Sequence, residues 1–269
     1  MKIMSTWVMG ITMLSASVSI LAADKTAQTD VYQQAYAIHA LYHPENKQPN
    51  ASVVTQQYIQ DYAALFSNNK KVTAEQFAQF EQTRLDPVLK QRREMSLKQA
   101  HVRYGILDKS KDQKLTLKEF QASGEKTFDG FDLNQDGLIN AEDAQLAGGS
   151  IGTHDGFRAK LPISMPMPSN VAEFIAQYGQ GKNYVTLGDY LTARDKQFFE
   201  TDSNQDLIVT EQEYVDEFMQ RFDRNLATGT TQMQEIAGQQ FKTIAKGKTT
   251  IQANDIKQYA KKVGQASAQ

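Results

Sequence analysis

Apolar residues recur at helical spacing along most of this chain. Clear examples are residues 56–66 and 88–107, in which the apolar side chains would share one face of a helix. No segment shows the alternation of apolar and polar residues that is typical of a β-strand. The pattern therefore predicts an all-α protein whose helices are joined by polar loops.

Residues 1–23 have a different pattern from the rest of the chain. A single charge at Lys2 precedes an apolar run, and small residues end the segment at Ala23. This order is typical of a secretory signal peptide. Since no other hydrophobic span follows, we expect an exported protein, periplasmic or secreted, with no stable membrane span in the mature chain.

The composition excludes several classes of function. The chain has no cysteine, which excludes disulfides, thiolate metal sites and cysteine nucleophiles. The formal net charge of −2 at pH 7 is close to balance, so a nucleic-acid partner is not expected. No serine nucleophile elbow, phosphate-binding loop or zinc-hydrolase motif is present, and an enzyme is not predicted.

An oxygen-rich turn at residues 132–143 carries the strongest chemical signal. Oxygen-bearing side chains occupy every second position from Asp132 to Asp136, and Gly137 follows where the chain must turn sharply with positive φ. A hard cation such as Ca²⁺ takes about six to eight oxygens, which a tight loop can supply from alternate residues. The predicted ligands are the side chains of Asp132, Asn134, Asp136, Asn140 and Asp143 and the backbone carbonyl of Leu138.

The last predicted ligand of this turn is shorter than usual. Asp143 stands where glutamate is more common, and the missing methylene makes bidentate contact harder. We expect weaker Ca²⁺ binding or better tolerance of the smaller Mg²⁺. The alternative is a turn without metal, because Asp, Asn and Gly favour turns by themselves.

Two further segments, residues 108–119 and 202–213, repeat this order of oxygen donors. The first offers Asp108, Ser110, Asp112, Thr116 and Glu119 with the carbonyl of Lys114, and the second offers Asp202, Asn204, Asp206, Thr210 and Glu213 with the carbonyl of Ile208. Gln113 and Leu207 replace the turning glycine, which predicts a strain of about 1 kcal/mol in each loop. Four lysines in the first segment would also repel a cation.

In these three loops the chain resembles exported bacterial proteins of the EF-hand superfamily. The resemblance implies helix–loop–helix repeats that bind calcium through the residues named above, with neighbouring loops joined by a short β-bridge at an aliphatic residue such as Ile139. Three more segments, residues 66–77, 178–190 and 245–256, keep the aliphatic residue but have lysine or glycine in place of carboxylates. We interpret them as metal-free partner loops, with unrelated polar turns as the alternative.

Spacing along the chain suggests which loops pair. Leu115 and Ile139 are 24 residues apart, which leaves room for one helix of roughly 18 Å and places their loops at its opposite ends. Longer intervals leave room for two helices and a turn. The predicted pairs are therefore Val72 with Leu115, Ile139 with Val185, and Val209 with Ile251.

A segment rich in glycine and proline separates two halves of the predicted mature chain. Residues 150–169 form the expected linker between an N-terminal lobe at 24–149 and a C-terminal lobe at 170–269. Each lobe would contain both oxygen-rich and degenerate loops.

The leading functional hypothesis is an exported calcium-binding protein that acts as a sensor, a buffer or a calcium-stabilised interaction protein, with a protein partner left unidentified. The alternative is a helical scaffold protein of the cell envelope whose loops have become independent of metal. A third hypothesis is a calcium-regulated enzyme with its catalytic part in residues 24–65 or in the linker.

One histidine pair also has a metal-binding spacing. His39 and His43 are four residues apart and would share a helix face, an arrangement that can hold zinc. No third ligand is evident nearby in the sequence, so a surface or core pair is the favoured interpretation.

Overall fold

The computed structural model describes residues 20–45, 50–68, 70–148 and 161–267, with side chains from residue 31 onward. Residues 1–19 of the predicted signal peptide lie outside the described residues, and so do residues 149–160, which include residues 150–160 of the predicted linker. The signal peptide and the division into lobes at residues 150–169 therefore stay predictions.

The described chain is mostly helical, which confirms the all-α class. The helices are α1 (Ile20–Tyr42), α2 (Ala51–Asp61), α3 (Ala74–Leu107), α4 (Leu117–Asp129), α5 (Ala141–Leu146), α6 (Val171–Tyr178), α7 (Leu187–Thr201), α8 (Glu211–Ala245) and α9 (Ala253–Ala266), with a 3₁₀ turn at Ala63–Phe66. Two-residue strands precede several of them: β1 (Val72–Thr73), β2 (Leu115–Thr116), β3 (Leu138–Ile139), β4 (Val185–Thr186), β5 (Ile208–Val209) and β6 (Thr250–Ile251). Across the described ranges, no helix combines the length and apolar character needed to cross a membrane.

The chain divides into two compact units. Among the described residues, a terminal unit comprises those up to Ala63 and from Asn254 onward, and a central unit comprises those from Ala64 to Ala253. The three oxygen-rich segments all lie in the central unit, whereas the histidine pair lies in the terminal unit.

The helices that follow strands in the central unit begin in a repeated way. The residue directly after the strand's aliphatic position caps the helix, and the third helical residue bonds back to the cap backbone. This reciprocal capping box satisfies two amides that the first helical turn leaves without intrahelical partners. The pairs are Thr73 with Gln76, Thr116 with Glu119, Asn140 with Asp143, Thr186 with Asp189, and Thr210 with Glu213.

The strands pair in a nested order, first with last. Val72 lies opposite Ile251, Leu115 opposite Val209, and Ile139 opposite Val185, all in antiparallel register. The prediction for Ile139 and Val185 is confirmed. The predicted pairs of Val72 with Leu115 and of Val209 with Ile251 are wrong.

The length of two helices explains this error. The interval from Val72 to Leu115 was expected to hold two helices and a turn, but it holds the single 34-residue helix α3, which continues through Pro87. Likewise α8, with 35 residues, fills the interval from Val209 to Ile251. Helices of this length extend roughly 50 Å, so the loops at their two ends cannot meet.

Because of the nested pairing, α3 packs antiparallel to α8, and α4 packs antiparallel to α7. Arg93 on α3 donates to Asp223 on α8 at 2.8–2.9 Å, and Gln234 on α8 donates to Gln82 on α3 at 2.9 Å. The β1–β6 pair therefore lies at one end of these two helices and the β2–β5 pair at the other. In the same way, α4 and α7 connect the β2–β5 pair to the β3–β4 pair.

Apolar clusters surround the strand pairs. The cluster around β2 and β5 contains Tyr104, Leu115, Phe120, Phe198, Val209 and Tyr214. The cluster around β3 and β4 contains Phe128, Phe131, Ile139, Val171, Phe174, Val185 and Tyr190. The aliphatic strand residues are thus fixed in the core, which fixes the positions of the polar loops next to them.

Candidate functional site

Each oxygen-rich segment forms a loop between two helices. Residues 108–119 connect α3 to α4, residues 132–143 connect α4 to α5, and residues 202–213 connect α7 to α8. The strand pair of β2 with β5 places the first and third loops side by side. The second loop is paired instead with the degenerate segment at residues 178–190.

The three loops share one backbone conformation at their turning points. The sixth residue of each has a positive φ, with values of 63° at Gln113, 83° at Gly137 and 67° at Leu207. The fourth residue, at Lys111, Gln135 and Gln205, is also left-handed. Glutamine and leucine therefore adopt the conformation for which glycine is normally used, as the sequence predicts, with the strain of a Cβ atom in this region.

The first carboxylate of each loop is buried and organises the turn. Asp108, Asp132 and Asp202 are 3–6% exposed. One oxygen of each accepts a hydrogen bond of 2.9–3.0 Å from the backbone amide of the sixth loop residue. These bonds hold the left-handed turn closed against the end of the preceding helix.

The last carboxylate of each loop connects its beginning to its end. Glu213 accepts from the Ser203 amide at 3.1 Å with one oxygen and from the Thr210 amide at 2.9 Å with the other. Asp143 bridges the Leu133 and Asn140 amides at 2.8 Å each. The same residues complete the capping boxes, so these carboxylates have a structural role with or without a metal ion.

Glu119 makes the same connection in the first loop. It accepts from the Ser110 amide at 3.0 Å and from the amide and hydroxyl of Thr116 at 3.1 and 2.8 Å. Partial burial raises the pKa of the Glu119 carboxyl, but the hydrogen bonds from Ser110 and Thr116 outweigh burial and lower this pKa to about 2. Glu119 is therefore ionised at neutral pH.

The aspartate at the fifth position of each loop accepts a backbone hydrogen bond at or next to the start of the following strand. Asp112, Asp136 and Asp206 accept from the amides of the residues predicted to offer carbonyl oxygens, Lys114, Leu138 and Ile208, at 2.8–2.9 Å. The Asn134 and Asn204 side chains donate to Asp136 and Asp206 at 3.0 and 3.2 Å. In return, the backbone amides of Asp136 and Asp206 donate to the side-chain oxygens of these two asparagines at 3.1 and 2.9 Å. Ser110 donates to Asp108 at 3.2 Å.

The predicted ligands of a loop are neighbours but do not converge on one point. Each loop has three carboxylates among its predicted ligands, yet no loop brings all three within 4.8 Å of one another; among the described residues only His39, His43 and Asp61 meet that spacing. The loop carboxylates are occupied by backbone amides instead. A cation at the centre of a loop would have to replace part of these hydrogen bonds.

The nine carboxylates among the predicted ligands also lack basic partners. Among the described residues, none of them forms an ion pair with a lysine, arginine or histidine. The loops at residues 132–143 and 202–213 therefore concentrate negative charge whose mutual repulsion a bound cation would relieve, whereas the four lysines within residues 108–119 offset the charge of that loop's three carboxylates. The residues with these charges are Asp108, Asp112, Glu119, Asp132, Asp136, Asp143, Asp202, Asp206 and Glu213.

The degenerate segment at residues 178–190 contrasts with the three loops. Its last carboxylate, Asp189, accepts a short hydrogen bond from the Lys182 ammonium in the middle of the same segment. This contact, with bonds from Thr186, lowers the pKa of Asp189 to about 2. An internal cation thus neutralises this carboxylate, and that the segment binds no metal stays a prediction.

The degenerate segments also turn differently. Gln180 and Gly181 are left-handed in succession, with φ values of 51° and 86°, and so are Lys246 and Gly247, at 50° and 84°. In the three oxygen-rich loops the left-handed residues are separated by one residue. The loop conformation therefore distinguishes the oxygen-rich loops from two of the degenerate segments, and residue 69 of the other, 66–77, lies outside the described residues.

The sequence reasoning missed one potential ligand, in the terminal unit. Asp61 at the end of α2 lies beside His39 in α1 and His43 directly after it. Asp61 is 18 residues from His43 along the chain and has no motif around it. Only a prediction of how α1 and α2 pack could have found it.

No protein-family model, curated protein or solved structure matches this chain. Any function must therefore follow from the chain's own residues and their arrangement.

Proposed function

We propose that this chain is an exported calcium-binding protein with EF-hand loops at residues 108–119, 132–143 and 202–213. The observation that carries the proposal is that these three loops combine the same order of oxygen donors with the same pair of left-handed residues. Three independent turns would have no reason to share both features. The degenerate segments lack this conformation in the two cases that can be compared.

The donor chemistry selects the ion. The loops offer carboxylate, amide, hydroxyl and carbonyl oxygens and no nitrogen or sulfur ligand, which suits Ca²⁺ and Mg²⁺ better than zinc or copper. Ca²⁺ tolerates irregular geometry, whereas Mg²⁺ requires a near-octahedral set. Mg²⁺ is a second candidate only at residues 132–143, where Asp143 is short and completely buried.

The framework of the loops does not depend on metal alone. Strand pairs, capping boxes and apolar clusters hold each loop at both ends, so calcium would act on an already folded central unit. Binding would then add RT ln(1 + [Ca²⁺]/Kd) to stability for each filled site. This arrangement suits a structural role, in which calcium stays bound and stabilises the fold. It also suits a sensor role, in which the protein binds a partner only in its calcium-bound or only in its calcium-free state.

The second candidate function is a metal-independent scaffold. It is favoured by the hydrogen bonds that already occupy the loop carboxylates and by the internal ammonium–carboxylate contact of Lys182 with Asp189. On this hypothesis, the capping role of Glu119, Asp143 and Glu213 accounts for their presence. Calcium binding requires the negative charge of these residues, whereas the scaffold hypothesis requires only that they cap the helices.

Calorimetric titration of the metal-stripped protein with Ca²⁺ tests the proposal. We expect about three binding events and a rise in melting temperature. Glu119→Gln, Asp143→Asn and Glu213→Gln should each remove one event. These amides retain a capping oxygen, since Gln76 caps α3 through its Oε1 at 3.0 Å, but they lack the second acceptor oxygen, so a lost event reports the charged second oxygen and not the cap.

The matched control is Asp189→Asn, which changes a carboxylate at the same place in a degenerate segment. It should leave all three events unchanged. A protein that gives no calcium heat, and whose melting temperature is the same in calcium and in chelator, would support the scaffold instead.

A further inference from the structure

His39, His43 and Asp61 form a cluster at the ends of two helices of the terminal unit. His39 lies on the last turn of α1, and His43, four residues further on, is the first residue after that helix ends. Asp61 is the last residue of α2. The cluster shares no residue with the three calcium-type loops, which belong to the central unit.

The distances in the cluster are close to those around a tetrahedral metal ion. Asp61 Oδ2 lies 3.0 Å from His43 Nε2 and 3.5 Å from His39 Nδ1. A tetrahedral Zn²⁺ ion with bonds of about 2.0–2.1 Å holds its ligand atoms about 3.3–3.4 Å apart. One potential ligand atom from each of the three residues lies within 4.8 Å of the others, so small side-chain movements would complete the arrangement.

His39 is the unusual member of the cluster. The residue is 3% exposed, and neither ring nitrogen has a hydrogen-bond partner among the described residues. The 3.5 Å separation from Asp61 is too long and poorly directed for a hydrogen bond. Buried polar atoms are nearly always bonded, so a buried imidazole with two unused nitrogens beside a carboxylate requires an explanation. A metal ion on His39 Nδ1 would supply one partner.

The second nitrogen of His43 is oriented as in many metal sites. His43 Nδ1 lies 3.2 Å from Glu45 Oε1, while Nε2 points to Asp61. A metal-bound histidine commonly donates its other N–H to a carboxylate, which fixes the ring and leaves the ligating nitrogen free for the ion. Glu45 is therefore a positioning residue and not a ligand.

We propose that His39, His43 and Asp61 bind one divalent transition-metal ion, with Zn²⁺ as the first candidate. Two imidazole nitrogens and one carboxylate oxygen form a ligand set that suits Zn²⁺ and its neighbours. Ca²⁺ prefers oxygen ligands in larger number, so the cluster differs in its chemistry from the oxygen-rich loops. Three protein ligands leave a fourth position for a water molecule.

Zn²⁺ titration of the metal-stripped protein in excess Ca²⁺ tests this proposal. The Ca²⁺ occupies any oxygen-rich site, so that Zn²⁺ reports the histidine cluster, and competition with a colorimetric zinc chelator gives the affinity. We expect one Zn²⁺ per chain. Co²⁺ in place of Zn²⁺ should give the intense visible absorption of a four-coordinate ion.

Two variants remove ligands without removing buried volume. Asp61→Asn and His43→Gln should each weaken Zn²⁺ binding beyond the roughly 10–100-fold that loss of an outer-shell partner costs. Glu45→Gln should weaken it by about tenfold, since Glu45 only orients His43. Circular dichroism of each variant establishes that the helices are intact.

The matched control is His101→Gln. His101 Nδ1 lies 2.8 Å from Glu211 on the surface of the central unit, but no third ligand joins this pair among the described residues. His101→Gln should leave Zn²⁺ affinity unchanged. If Asp61→Asn and His43→Gln bind Zn²⁺ as tightly as the unaltered protein, or if the unaltered protein binds none, the cluster is only a pair of adjacent histidines beside a carboxylate, and the proposal is wrong. Neither result would bear on calcium binding by the loops.

Discussion

Leu115 lies opposite Val209 in an antiparallel strand pair, although the two residues come from distant parts of the chain. Both are at most 1% exposed and belong to one apolar cluster with Tyr104, Phe120, Phe198 and Tyr214. Their pairing brings the loops at residues 108–119 and 202–213 together. A change in one loop can therefore reach the other through a packed core, which is the physical requirement for coupling between two sites.

Truncation of Leu115 should affect both loops. Leu115→Ala removes a fully buried side chain, so we expect the free energy of unfolding to fall by about 2–5 kcal/mol. If the loops bind calcium as proposed, the affinity of both should fall together. Denaturant unfolding and calorimetric titration measure the two effects.

Ile139→Ala is the matched control for this coupling, because Ile139 is equally buried but pairs with Val185. Its effect on calcium should be confined to the loop at residues 132–143. A Leu115→Ala protein that loses affinity only in its own loop would contradict coupling across the strand pair.

Replacement of Leu207 by glycine should stabilise the metal-free protein. Leu207 has a φ of 67° and is 64% exposed, so the side chain contributes strain and little packing. Relief of about 1–2 kcal/mol of left-handed strain exceeds the roughly 0.4–1 kcal/mol by which glycine favours the unfolded chain. We expect Leu207→Gly to raise the free energy of unfolding by up to about 1 kcal/mol in thermal or denaturant unfolding.

Gly137→Ala is the opposite change in the equivalent position of another loop. Gly137 has a φ of 83°, and a Cβ atom would have no neighbour within 4 Å, so backbone strain is the only effect. The variant should be less stable by about 1 kcal/mol. Equal stability of both variants and the unaltered protein would mean that these positions carry no strain.

Removal of the Lys182 ammonium should raise the pKa of Asp189. The hydrogen bond from Lys182 is the main cause that lowers this pKa from its ordinary value of 3.8 to about 2, with bonds from Thr186 adding to it. In Lys182→Met, a carboxyl NMR titration should show an Asp189 pKa closer to 3.8. An unchanged value would mean that the Thr186 bonds alone determine it.

The same shift predicts how stability depends on pH. Because the pKa of Asp189 is lower in the folded protein than in the unfolded chain, the unfolded chain binds more protons between pH of about 4 and about 2. The contribution of this carboxylate is therefore present above pH of about 4 and is lost as the pH falls to about 2. Lys182→Met should lose less stability than the unaltered protein over this interval.

Two glycines of α8 should respond oppositely to alanine. A Cβ atom at Gly229 would meet the carbonyl of Pro162 and lie 2.8 Å from the Cα of Ile163, so Gly229→Ala should force the 162–163 segment away from the helix and destabilise the fold. Gly238 has nothing within 4 Å of its Cβ position. Gly238→Ala should stabilise α8 by about 0.5–1 kcal/mol. Similar melting temperatures for the two variants would contradict this close packing.

The sequence alone determined the local features of this protein. Helical spacing of apolar residues predicts an all-α chain, and the order of Asp, Asn and Gly around residues such as Asp132 and Gly137 predicts the turns, since these preferences act within a few residues. It also predicts that Gln113 and Leu207 take the conformation of a glycine, because loop register fixes their φ.

Only the tertiary structure decided which distant segments meet. The partners of Val72 and Leu115 could not be derived from spacing, because the continuity of α3 and α8 depends on their packing against each other and not on their local sequence. The position of Asp61 beside His39 and His43 could not be predicted from the sequence for the same reason. Side chains on two helices meet through the burial of apolar faces, which has no fixed separation along the chain.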